Sequence, residues 1–425
     1  MRTMKDSGIE WIGEIPLDWG TSKMRYIGQY INGYAFKPDD WSSEGKRIIR
    51  IQDLTGTNNN PNYYAGQLPD KYNVTAGDIL VSWAATLDAF IWNNDDAWLN
   101  QHIFKAICFP KVIDKNFFFW VLKEAMENMN NDNKHGIVMQ HITLSVFSNF
   151  TIPLPPKLVQ RRIANYLDRK CGQIDTIIAR QQEVIEKLKA YKLSVITEAV
   201  TKGLNPNVPM KDSGIDFIGS IPETWQICRL RNIGTLQNGI SKGGEFFGHG
   251  FPFVSYGDVY RNFSLPVQVA GLIDSSDEER KNYSVESGDI FFTRTSETIE
   301  EVGFSSVCEE TIPDATFAGF LIRVRPFTDD LVPKFAKYYF RSNHHRYYLV
   351  KQMNLVTRAS LGQDLLKSMP VLVPPKDEQI SIAAYLDKKC GAIESSIQYK
   401  QRVIERLTAY KKSLIYEVVT GKKEV

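Results

Sequence analysis

The chain is written twice. MKDSGIEWIGEIPLDW, from Met4 to Trp19, returns as MKDSGIDFIGSIPETW, from Met210 to Trp225, 206 residues later. A longer string, PPKLVQRRIANYLDRKCGQIDTIIARQQEVIEKLKAYKLSVITEAVT from Pro155, returns from Pro374 as PPKDEQISIAAYLDKKCGAIESSIQYKQRVIERLTAYKKSLIYEVVT, 219 residues later. Repetition of this length constrains the fold more than composition does, because both copies must build the same kind of unit. The two offsets differ by 13 residues, so the second unit has grown by that amount.

The order is thus entry motif, variable block, helical motif, twice over, and the variable blocks (about Gly20 to Pro153 and Gln226 to Val373) show little mutual similarity. The boundaries expected are 1–153 for the first entry motif and block, 154–208 for the central helical motif, 209–373 for the second entry motif and block, and 374–425 for the last helical motif. A duplicated frame with divergent inserts suits a binding protein that presents two different readers. A duplicated enzyme with decayed domains would share the pattern.

In the helical motifs, apolar residues recur at Ile174, Ile177, Ile178, Val184, Ile185, Leu188, Tyr191 and Val195, and again at Ile393, Ile397, Val403, Ile404, Leu407, Tyr410 and Leu414. Spacings of three and four define an amphipathic helix. Gly203, with Asn205, Pro206 and Pro209 behind it, ends the first. From Ile174 to Lys202 such a helix rises about 43 Å at 1.5 Å per residue. Neither seam is apolar enough to stand alone, so the two helices are expected to pair antiparallel as a coiled coil.

The variable blocks mix strand-like runs (KRIIRIQDL, GDILVSW, GDIFFTRT, GFLIRVRPF) with helical ones around Phe117 to Asn128 and Lys334 to Tyr348. Each reads as a compact α/β (α+β) unit. Both close on a proline-bearing strand, FTIPLPPK and SMPVLVPPK, whose prolines forbid helix there.

At 425 residues with 43% apolar and 24% charged, the chain is sized for two or three globular units without extended disorder. Cys108, Cys171, Cys228, Cys308 and Cys390 lie far apart, which suits free thiols better than a disulfide framework or a zinc site. A net charge of +2 means that any nucleic-acid contact must come from local clusters. No run approaches the roughly 18 apolar residues of a membrane span and the N-terminus lacks a signal-like run, so a cytoplasmic location is expected.

Taken together, the entry motif, the GDI strand, the PLPP exit and the Y-L-D-x-K-C-G helix, each present twice, resemble the specificity subunits of type I restriction-modification systems over essentially the whole chain. The resemblance implies two target recognition domains, each reading one half of a bipartite double-stranded DNA target. It also implies that the paired helices set the spacer and dock two methyltransferase subunits, with restriction (motor-nuclease) subunits in the full complex. S-adenosylmethionine, ATP and Mg are expected on those partners and none in this chain, which is expected to be non-catalytic. One departure stands out: KLVQRR fills the first exit where the second has Asp377-Glu378-Gln379, so Gln160 lacks its acidic neighbour. The alternative reading is a coiled-coil interaction scaffold without DNA recognition.

Catalytic motifs point the same way. Neither a glycine-rich S-adenosylmethionine loop with N-P-P-[FY] nor a Walker A string is present. Asp39 and Glu44-Gly45-Lys46 imitate a nuclease motif at a spacing too short for the usual hairpin. His102, His135, His141, His249, His344 and His345 show no zinc spacing, and the adjacent pair reads as helix surface. Asp53 and Asp78 sit at turn signals where aspartate caps backbone.

Base edges are read by Arg, Lys, Asn and Gln on loops beside rigid strands. The first block offers Asn32, Tyr34, Lys37, Gln52, Ser82, Trp83, Thr86, Lys134, His135, Gln140 and His141 around Gly33. The second offers Asn238, Ser241, Lys242, Tyr256, Arg261, Thr293, Arg294, Thr295, Arg358 and Ser360. Arg294, directly after GDIFF, is placed to fork onto a guanine.

Overall fold

The computed structural model describes residues 2–132, 142–296, 302–352 and 359–425. Its contacts group into two compact units, Met1–Gln181 with Arg402–Val425, and Gln182–Gln401. The first unit holds α1 (Ile51–Thr55), α2 (Lys115–Asp132), α3 (Leu144–Asn149) and the start of α4 (Lys157–Lys202). The second holds the rest of α4, then α5 (Tyr256–Arg261), α6 (Asp277–Asn282), α7 (Pro333–Tyr339), α8 (Asn343–Gln352), α9 (Gln363–Ser368) and most of α10 (Lys376–Val419).

Within the first unit the beginning of α4 lies with the end of α10, where Lys411 meets Asp175 at 2.6 Å and Ile174 shares a core with Leu414 and Val418. Within the second unit the end of α4 lies with the beginning of α10, where Lys192 meets Glu394 at 2.9 Å. The long helices are therefore antiparallel. Ile174, Ile185, Val195, Ile393 and Leu414 are buried as their spacing expects, but Ile177, Tyr191 and Tyr410 are exposed, since the apolar stripe is wider than the seam between the helices. Among the described residues no helix is long and apolar enough to cross a membrane.

The variable blocks, unlike in sequence, share one plan. In the first, an antiparallel sheet runs in the order Gly28–Asn32, Ile103–Cys108, Ile79–Ser82, Asp88–Ile91. The second repeats it with Gly234–Asn238, Leu321–Pro326, Ile290–Thr293 and Ser305–Val307. Beside each lies a smaller mixed sheet, built on the parallel pairs Lys46–Ile49 with Ala97–Leu99 and Phe247–Val254 with Thr316–Phe317. Each block is clasped by its own two-stranded ribbon, Gly20–Lys23 with Thr151–Leu154 and Gln226–Arg229 with Pro370–Val373.

The repeated motifs are the joints. Buried Gln379 accepts from the Val332 amide at 2.8 Å and donates to the carbonyls of Asp330 (2.7 Å) and Pro374 (2.8 Å). Gln160 likewise accepts from Asp114 at 2.7 Å and donates to Pro155 at 2.8 Å. In the Y-L-D motif, Asp168 accepts from the Trp120 indole (2.7 Å) and Asp387 from the Tyr338 hydroxyl (2.8 Å), fixing α2 and α7 to the long helices. Each long helix ends on a left-handed glycine, Gly203 (φ +73°) and Gly421 (φ +77°). A Cβ there would stand 3.5 Å from the Trp225 ring and 2.9 Å from that of Trp19, so the entry-motif tryptophans cap the helix ends. The entry motif thus packs on the C-terminal helix, and the Tyr416 hydroxyl donates to the Trp11 carbonyl at 3.2 Å.

Three local expectations change. KRIIRIQDL is a strand, Lys46–Ile49, followed by α1, because Asp53 turns back to accept the Arg50 amide at 2.7 Å. The helical run from Lys334 to Tyr348 breaks into α7 and α8, where Ser342 bonds His345 at 3.1 Å. His345 is consequently buried between Tyr339 and Phe340 rather than on a surface.

Candidate nucleic-acid interface

In the first block, α1 and the bend after Ile79–Ser82 enclose a cavity of about 430 Å³. It brings Gln52 and Thr86 together with Arg50, Asn62, Gln101 and His102, and is walled by Phe36 and Trp41. The Arg50 guanidinium donates to Asn62 at 2.9 Å and lies 5.4 Å from the Trp41 ring centre. Ala85, on the same wall, holds a left-handed backbone (φ 58°), a strain of about 1 kcal/mol of the kind found where a loop is aimed at a ligand. Arg50, Asn62, Gln101, His102 and Trp41 were not singled out in the sequence, because they come from separate segments that only the fold collects.

The other first-block candidates scatter. Asn32 and Lys37 are exposed, with no side-chain partner among the described residues. Tyr34 is engaged edge-on with Phe36 and Tyr72, at 5.0 and 5.7 Å. Trp83 is half-buried and stacked on Phe104. Ser82 is wholly buried and donates to the Ala84 carbonyl. Lys134, His135, Gln140 and His141 lie outside the described residues.

In the second block, Arg261 is exposed at the end of α5, and Tyr256 stacks on Tyr260 at 5.9 Å. Arg294 is half-buried; its backbone is bonded to Phe320 and Leu361, and its guanidinium has no partner among the described residues. Ser241 is exposed, while Asn238 accepts from Gln363 at 2.9 Å. Thr293 is fully buried and its hydroxyl accepts the Phe304 amide. Lys242 is committed to Glu279 at 2.7 Å and to the Asp274 carbonyl, and this contact holds Glu279 below the usual carboxylate range. Thr295 pairs with Ser360 in a backbone ladder, the Ser360 side chain and all of Arg358 lying outside the described residues.

The acidic residues are structural. Asp78 accepts the Thr75 amide and pairs with Lys105 at 2.7 Å. Its counterpart Asp289 accepts the Glu286 amide and pairs with Arg325 at 2.6 Å. Asp53 caps α1 and binds Arg47. Lys46 turns to Asn73 (2.9 Å) and the Trp98 ring. The five cysteines are free, and burial raises their thiol pKa values, that of Cys171 to about 11 and that of Cys308 to about 12.

The arrangement offers, in the first block, a cavity lined by amide, guanidinium and aromatic groups. The family model described as "Type I restriction modification DNA specificity domain" matches twice, over 16–187 and 222–405. The chain is 25% identical over 413 residues to the type I restriction enzyme EcoBI specificity subunit of Escherichia coli, covering 95% of this chain and 86% of that protein. It is 24% identical over 357 residues to the MjaVIII specificity subunit of Methanocaldococcus jannaschii, covering 83% and 80%. A solved structure described as "Structural basis underlying complex assembly and conformational transition of the type I R-M system" superposes with a TM-score of 0.70 at 16% identity, over 96% of this chain and 99% of that one. Its duplicated frame, shared block topology and two family matches place this chain in the family of type I restriction-modification specificity subunits.

Proposed function

We propose that the chain reads a bipartite double-stranded DNA target, one half by each recognition domain, for a type I restriction-modification assembly. The observation that carries this is the pairing of one repeated sheet plan with two different polar surfaces: the Arg50, Gln52 and Asn62 cavity in one block, and Arg261 and Arg294 in the other. Such groups suit base-edge hydrogen bonding. The long helices set the spacer and dock two methyltransferase subunits. Restriction subunits join in the full complex, which works on DNA in the cytoplasm. Methyl transfer and cleavage belong to those partners, with their S-adenosylmethionine, ATP and Mg; this subunit supplies the address and no catalytic group.

The test is selection. The full chain, assembled with its methyltransferase subunits, is incubated with a randomised duplex library and the retained DNA is sequenced. Two fixed sequence blocks separated by a fixed number of unspecified pairs are expected. Retention without sequence enrichment, or methyl transfer by the purified chain alone, would overturn the reading.

A further inference from the structure

We propose that Arg341 is a positioning residue for recognition by the second domain, holding the last turn of α5 so that Arg261 is presented to a base edge. This rests on the DNA-reading function proposed above.

α5 is a six-residue helix, too short to be stable on its own. Its N-terminus is self-sufficient: Ser255 accepts the Asp258 amide and the Asp258 carboxylate accepts the Ser255 amide at 2.9 Å. Its C-terminus has no glycine cap, for Asn262 continues in extended backbone. The Asn262 side-chain amide serves the Asp258 carbonyl at 2.8 Å, and the other carbonyls released there need donors from elsewhere.

Arg341 supplies them. It sits in the break between α7 and α8, and its Nη2 donates to the carbonyls of Val259 (2.7 Å), Tyr260 (3.0 Å) and Asn262 (2.8 Å). Its Nε donates to Ser305 at 2.5 Å. The guanidinium lies between the rings of Phe263 and Phe304, 5.1 and 4.7 Å from their centres. Among the described residues no carboxylate pairs with it. Burial pushes its pKa down to about 10, so it remains cationic at neutral pH. A buried guanidinium whose Nε and Nη2 bonds go to main-chain carbonyls fixes backbone position, which a lysine ammonium, lacking the planar fork, does less well.

The clamped carbonyls flank Arg261 on both sides. Arg261 itself is exposed, with no partner among the described residues. Its guanidinium folds back over Gly257, where a Cβ would come within 2.6 Å of Nη2. Gly257 therefore leaves room for the observed course of the Arg261 side chain. Bidentate reading of a guanine tolerates little displacement, so a loosened α5 blurs the choice of base before it abolishes binding.

The experiment compares wild type, Arg261→Ala, Arg341→Lys, the double variant and Gly257→Ala in the full chain with its methyltransferase subunits, by library selection and by melting. Arg341→Lys is expected to lower discrimination roughly tenfold at the second-half-site position that Arg261→Ala affects, leaving the first half-site unchanged. Added to Arg261→Ala, it should change that discrimination by less than about twofold. Gly257→Ala, which turns the Arg261 guanidinium off its observed course without touching the clamp, should weaken the same position with no loss of melting temperature. Additive losses, equal weakening on all sequences, or an unaffected position in Gly257→Ala would overturn the proposal. If the wild type enriches a first half-site and no second, it is the reading function of this domain that fails, and the proposal falls with it.

Discussion

Trp225 donates its indole N–H to Glu378 at 2.9 Å, whereas Trp19, its counterpart in the first repeat, is buried with no partner for Nε1 among the described residues. The residue in the place of Glu378 is Val159. The acidic residue missing from KLVQRR thus shows itself as an orphaned donor. Val159→Glu is expected to stabilise the protein by about 1 kcal/mol, and Glu378→Val, which orphans Trp225, to cost about 1–3 kcal/mol. Denaturant unfolding of the two variants checks both signs.

Glu124 on α2 gives a pH signature. Burial pushes its pKa up to about 7, against the hydrogen bond from Asn128 at 2.7 Å. The folded state then holds a proton that the unfolded chain releases near the ordinary carboxylate value. Stability from this group is complete below about pH 4.5 and is lost as pH rises through 7. Glu124→Gln should match wild type near pH 4.5 and exceed it by about 3 kcal/mol at pH 8. Thermal unfolding at the two pH values is the check, and an equal gain at both would contradict it.

Arg294→Ala should relax the choice of base at one position of one half-site, at a cost of about 1–3 kcal/mol, if its guanidinium forks onto a guanine. Binding across single-base variants of the selected target separates the cases. A uniform loss assigns Arg294 to a phosphate.

Spacer control can be tested by lengthening both long helices together. An insertion in α4 alone would slip Val195, Ile196 and Val200 out of the core they share with Ile382, Leu386 and Cys390. Four residues added after Gln181 and four after Gln401 keep each compact unit internally matched and add about 6 Å of rise to each helix. The selected half-sites should stay the same while the unspecified spacer grows by one or two pairs. An unchanged spacer would show that the helices do not set it.

What the sequence made legible was whatever repeats or punctuates. The duplicated strings located α4 and α10, Gly203 located a helix end, and the prolines of FTIPLPPK located the clasp strand. Asp78, beside Gly77, read correctly as a cap. The shared sheet plan of the two blocks was hidden because a strand needs only alternation and burial, which many sequences satisfy. The burial of Ser82 and Thr293 was not legible, since a polar residue at a strand end shows nothing of it. The Arg50 cavity and the Arg341 clamp were invisible for another reason. Their partners are distant in sequence, and in the clamp they are main-chain carbonyls common to every residue.

The clasp ribbons carry a last consequence. Because Gly20–Lys23 pairs with Thr151–Leu154, and Gln226–Arg229 with Pro370–Val373, each recognition domain enters and leaves its frame through adjacent strands. Everything between is a cassette on a two-strand socket, which the frame holds at the socket, at the joints at Gln160 and Gln379 and at the Asp168 and Asp387 bonds to α2 and α7. An insert with another reading surface, plugged in at the same strands, would change the address without rebuilding the machine.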